Sequence, residues 1–88
     1  MYSKLTTEGV RTIKENPQRI LEVNEEVKAL GIEVLSQYAS LGPYHFISIV
    51  EAPNENAIAK AAIELGSRGT ATYEIVPAIS VEKLIEAF

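Results

Sequence analysis

The chain has 88 residues, 47% of them hydrophobic, and a formal net charge of −4, which describes one small globular domain near the lower limit for a single unaided core. It contains no cysteine, no aspartate and one histidine, His45, so a disulfide framework, a thiolate nucleophile, a cysteine or multi-histidine metal site and a Ser-His-Asp triad are excluded. The eight lysines and arginines are spread out rather than gathered in a stripe, which argues against nucleic acid as a partner.

In chain order, residues 1–5 read as a short strand, after which Thr6 or Thr7 offers a helix N-cap. Apolar residues then recur at helical spacing at Val10, Ile13, Ile20, Val23, Val27 and Leu30. Pro17 interrupts that stripe, and the pattern predicts a short helix over 7–14 and a main helix over 17–30, with Asn16 as the cap of the second and Gly31 closing it. Residues 32–39 and 44–51 read as two strands joined by the turn Ser40-Leu41-Gly42-Pro43. Asn54 begins another helix, whose apolar face is Ile58, Ala61, Ala62 and Leu65 and whose C-cap is expected at Gly66. Gly66-Ser67-Arg68-Gly69 lacks the lysine and hydroxyl pair of a phosphate loop and follows a helix rather than a strand, so it reads as a turn. Residues 70–78 form a fourth strand, and Ser80 caps a terminal helix.

The order βαββαβ plus a C-terminal helix predicts an α+β ferredoxin-like sandwich: a four-stranded antiparallel sheet of order 4-1-3-2 with both main helices on one face. Helices can cover only that face, yet the strands carry large apolar groups on both. Leu35, Ile47, Ile49, Ala71, Tyr73 and Ile75 form the more aliphatic set, expected against the helices. Tyr2, Ser36, Tyr38, Tyr44, Phe46, Ser48, Thr72 and Glu74 form the mixed set on the other side. A homodimer or larger homo-oligomer that covers the mixed face is therefore expected, with room for a small molecule beside the tyrosines.

Three stretches carry a resemblance: Thr6–Arg19 (TTEGVRTIKENPQR), Leu41–Pro53 (LGPYHFISIVEAP) and Leu65–Thr70 (LGSRGT). In this order and spacing they resemble the GYD domain family of small prokaryotic proteins, and the likeness covers essentially residues 1–88. It implies a fold of the dimeric α+β barrel type and brings no activity with it. The Gly-x-Tyr-Asp pattern of the family reads Gly42, Pro43, Tyr44, His45 here, with a histidine at the acidic position.

His45 is the candidate acid or base, since imidazole titrates near neutral pH. Tyr38, Tyr44, His45 and Glu74 are the candidate ligand-binding set. Arg11, Lys14 and Arg19 surround the break at Pro17 and are the candidate anion-binding set. No metal and no cofactor are expected. The residues favour a non-catalytic small-molecule-binding or regulatory module; the alternative is a cofactor-free barrel-type enzyme, a monooxygenase or isomerase, that uses His45 with a tyrosine or Glu74. No apolar stretch approaches a membrane span and no charged-then-apolar leader follows Met1, so no membrane partner and a cytoplasmic location are expected.

Overall fold

A computed structural model describes residues 1–88. Its elements are β1 (Tyr2–Leu5), α1 (Thr7–Glu15), α2 (Arg19–Ala29), β2 (Glu33–Ala39), β3 (Phe46–Glu51), α3 (Glu55–Gly66), β4 (Ala71–Glu74) and α4 (Val81–Glu86). The strands form one antiparallel sheet in the order β2-β3-β1-β4, the topology expected from the βαββαβ sequence. No helix is long and apolar enough to cross a membrane.

Short polar side chains start three of the helices. Thr6, Asn54 and Ser80 each accept a hydrogen bond from the backbone N–H three residues on, which satisfies one of the donors a helix leaves free at its beginning. At the end of α2, Gly31 takes a φ of 88°; its N–H donates to Lys28 O and that of Ile32 to Val27 O, both at 3.0 Å. This paired closure needs the left-handed conformation that glycine adopts freely. It turns the chain so that Ile32 packs directly on Val27.

Pro17 does divide two helices, but Asn16 does not cap the second. Its backbone N–H instead closes α1 on Thr12 O, and α2 starts at Arg19 after Gln18, with no side-chain cap. The proline and Gln18 form a connecting turn, in which Arg19 N–H reaches Asn16 O, so the asparagine lies too far back to serve as cap. The helix before Thr70 also runs one residue further than expected: Gly66 is its last residue, Ser67 its cap, and Gly69 supplies the positive φ. β4 stops at Glu74 rather than residue 78. It pairs only with β1, and Tyr2 opposite Glu74 is the last partner that β1 offers; Pro77 then lacks an N–H for any ladder.

The core is small and lies on one side. Val27, Ile32, Ala61 and Leu65 form its buried centre, with Val34, Val50 and Tyr73 packed on it from the sheet. The inner face of the sheet is thus Ser3, Val34, Gln37, Phe46, Ser48, Val50, Ala71 and Tyr73. This corrects the expected division at six positions: Phe46 and Ser48 face the helices, Leu35, Ile47 and Ile49 face away, and Ile75 lies beyond the strand. Two local irregularities cause the change. β2 carries a bulge between Val34 and Ser36, so Leu35 is extra and both it and Ser36 turn outward. The chain also bends at His45, so Tyr44 does not share the side of Phe46 as strict alternation requires.

Candidate functional site

On the face away from the helices, the register aligns Tyr38, Ile47, Tyr2 and Glu74 in one row across all four strands. Tyr44, just before β3, folds over that row. Its ring lies 4.7 Å from the Tyr2 ring centre at a tilt of 36°, and its hydroxyl donates to the Glu74 carboxylate. The bond to Glu74, which favours the neutral phenol, raises the Tyr44 pKa above its ordinary value. Leu35, Tyr38 and Ile49 complete the face and are 54%, 63% and 49% exposed.

Of the ligand-binding candidates, Tyr44 and Glu74 therefore meet, and Tyr38 stands at the other end of the same row. His45 does not join them. Its Nδ1 accepts from Leu5 N–H at 2.9 Å, while its backbone N–H donates to Ser3 O. The imidazole thus supplies an acceptor to β1 at the point where the backbone of β3 leaves the ladder. Arg11 and Lys14 lie exposed on α1. Arg19 is part of a different group: its guanidinium bonds Glu22 at 3.2 Å and Glu26 at 3.0 Å. Arg68 bonds the other oxygen of Glu26, and these hydrogen bonds, that of Arg68 foremost, hold the Glu26 carboxyl below the usual range. No three His, Cys, Asp or Glu side chains converge as metal ligands.

The inner side of the sheet holds a second feature, a cavity of about 240 Å³ under α1 and α2. Its polar wall is a chain in which Asn24 Nδ2 donates to Gln37 Oε1 at 2.8 Å and Gln37 Nε2 to Ser48 Oγ at 3.1 Å. Arg19 and Arg68 line the same space. Sequence reasoning missed Asn24 and Gln37, placed Ser48 on the opposite face of the sheet and read Arg68 only as part of a turn. The signal was a polar residue at an inward strand position, and the β2 bulge hid which way Gln37 points.

The fold and this surface define a ferredoxin-like α+β domain whose sheet is covered on one side only. The chain belongs to the GYD domain family, which it matches over residues 1–88. It is similar to a protein of Thermus thermophilus named glutamine synthetase and cystathionine beta-lyase binding protein. The two are 44% identical over 86 residues, covering 97% of this chain and 90% of that protein. No solved structure matches the chain.

Proposed function

We propose that this protein is a non-catalytic binding module that docks on other proteins through the open face of its sheet. The observation that carries the reading is the face itself: Leu35, Tyr38 and Ile49 lie exposed on strands whose other side meets the helices. Scattered apolar side chains on a surface need no explanation, but a set gathered on two adjacent strands does. The name of the Thermus relative states binding to two enzymes, and similarity over nearly the whole chain supports glutamine synthetase and cystathionine beta-lyase as partner types here. A cytoplasmic location accords with such partners. The cofactor-free enzyme reading has less support, because the His45 ring is bonded to a backbone amide and not to a carboxylate or phenol that would orient a base.

A second copy of this chain competes for the same face. One observation favours it: the segment after β4 is exposed throughout and strongly apolar, with Ile79 67%, Ile85 65% and Phe88 101% exposed. Such an arm suits the homodimer or larger ring expected from the two-faced sheet. Biolayer interferometry against both enzymes from the same organism, run beside sedimentation equilibrium, tests the reading. The expected result is binding to at least one enzyme, weakened tenfold or more by Ile49→Lys. A monomer that binds neither enzyme, or a variant that binds as wild type, would overturn it.

A further inference from the structure

We propose that the inner cavity is a binding site for a small carboxylic acid, with the carboxylate at Arg19 and Arg68, an apolar body against the cavity walls, and a hydroxyl, keto or amide group on the Asn24–Gln37–Ser48 chain. The site lies on the opposite side of the sheet from the protein-docking face and does not rest on that reading.

The cavity is large for so short a chain. It is a cleft partly open to solvent between the sheet and the helices, and it measures about 240 Å³ in a chain of 88 residues. That is the liquid volume of about eight waters, enough for a ligand of roughly ten non-hydrogen atoms.

The lining supplies the chemistry. Leu5, Ile13, Ile20, Val23, Phe46 and Tyr73 give apolar and aromatic walls. Ser48 is 1% exposed, and a core position of that depth ordinarily carries an apolar side chain. Here it anchors a hydrogen-bonded chain with capacity to spare. Asn24 donates one N–H to Gln37 and keeps a second N–H and its carbonyl oxygen; Gln37 keeps one N–H after bonding Ser48. The walls thus present donors and an acceptor inside an apolar space, the pattern of a small-molecule site.

Charge narrows the class. Arg19 and Arg68 line the cavity, while no aspartate or glutamate does, in a chain of net charge −4. Arg19 bonds Glu22 and Glu26 and Arg68 bonds Glu26, so two carboxylates already offset the two guanidiniums, but each guanidinium has five N–H donors and neither is saturated. A planar carboxylate matches their fork geometry. A zwitterionic amino acid fits less well, because its ammonium finds no carboxylate in the lining.

The test is a ¹H–¹⁵N NMR titration of the full chain with 4-methylpentanoate and benzoate, compared with 4-methylpentanamide, benzamide, leucine and inorganic phosphate. The expected result is saturable shifts at the Asn24 and Gln37 side-chain amides and at Ser48, with the carboxylates at least tenfold tighter than their amides or leucine. Gln37→Glu, which adds a negative charge to the wall, should weaken carboxylate binding tenfold or more; Arg68→Gln, in the exposed turn, should do so by about fivefold and decides the matter if the first variant unfolds. The proposal fails if neither acid saturates by about 10 mM, if the amides bind equally, if phosphate moves the same signals equally, or if the folded variants bind as wild type.

Discussion

Gly9 illustrates how a single residue can be required for a reason that lies elsewhere in the chain. It sits on the first turn of α1, where Thr6 N–H donates to Thr70 O at 2.9 Å and the Thr6 hydroxyl to Gly69 O at 2.8 Å. Those bonds draw the helix so close to the chain entering β4 that a Cβ on Gly9 would lie 1.9 Å from Thr70 O. The obstruction is backbone and cannot rotate away. Gly9→Ala should therefore cost roughly 3 kcal/mol, as overpacking does when neighbours cannot yield, read as a shift in the urea midpoint. Gly66 is the control: it ends a helix, and nothing lies within 4 Å of its would-be Cβ. Gly66→Ala should stabilise by about 0.5–1 kcal/mol. From sequence, both glycines look alike.

At the scale of elements, the caps separate what local chemistry dictates from what the chain path decides. Asn54 bonds Ala57 N–H at 2.8 Å, so Asn54→Ala should cost about 1 kcal/mol. Asn16 makes no such side-chain bond, and Asn16→Ala should stay within about 0.5 kcal/mol of wild type; thermal melts of the pair check both. The strand order, the break at Pro17, the cap at Ser80 and the helix starts at Thr6 or Thr7 and at Asn54 were legible because each rests on a local pattern or on crossover handedness. The inward and outward faces were not. One extra residue in β2 and one bend at His45 reset the alternation, and neither has a residue signature of its own. Hence the Tyr44–Glu74 pairing was partly legible, whereas the Asn24–Gln37–Ser48 chain was not.

Glu26 ties α2 to the turn after α3 through Arg68, and its pH dependence has a definite sign. Those hydrogen bonds favour the ionised carboxylate, so the folded-state pKa is below the ordinary value of 4.5. The stabilisation is present above that value and is lost as pH falls through the lowered folded-state pKa. Because the groups are partly exposed, the loss should be modest. Glu26→Gln should be less stable than wild type at neutral pH and should flatten the acid limb of the stability curve. An unchanged acid limb would show that the carboxylate does not hold these elements together.

The whole molecule departs from the shape of a closed small domain. Its radius of gyration is 13.9 Å, against about 12 Å for a compact chain of this length. The excess fits the arm after β4, where every residue from Glu74 to Phe88 is exposed. Removing residues 76–88 should lower the free energy of unfolding by no more than about 2 kcal/mol, because Val76 and Leu84, each 48% exposed, are the most buried of the segment's large apolar side chains. A large loss would place the arm within the fold rather than beside it.

Docking of proteins on the bare face of the sheet is tested most directly by methyl cross-saturation NMR. The chain, with isoleucine methyls labelled, is mixed in turn with unlabelled glutamine synthetase, unlabelled cystathionine beta-lyase and unlabelled chain, and saturation is transferred from the partner. Ile47 and Ile49 should lose intensity first with at least one of them, while Ile20 and Ile58, on the helical side, keep theirs. Saturation centred on Ile63, which stands 74% exposed on α3, with Ile49 unaffected by every partner, would contradict docking on this face.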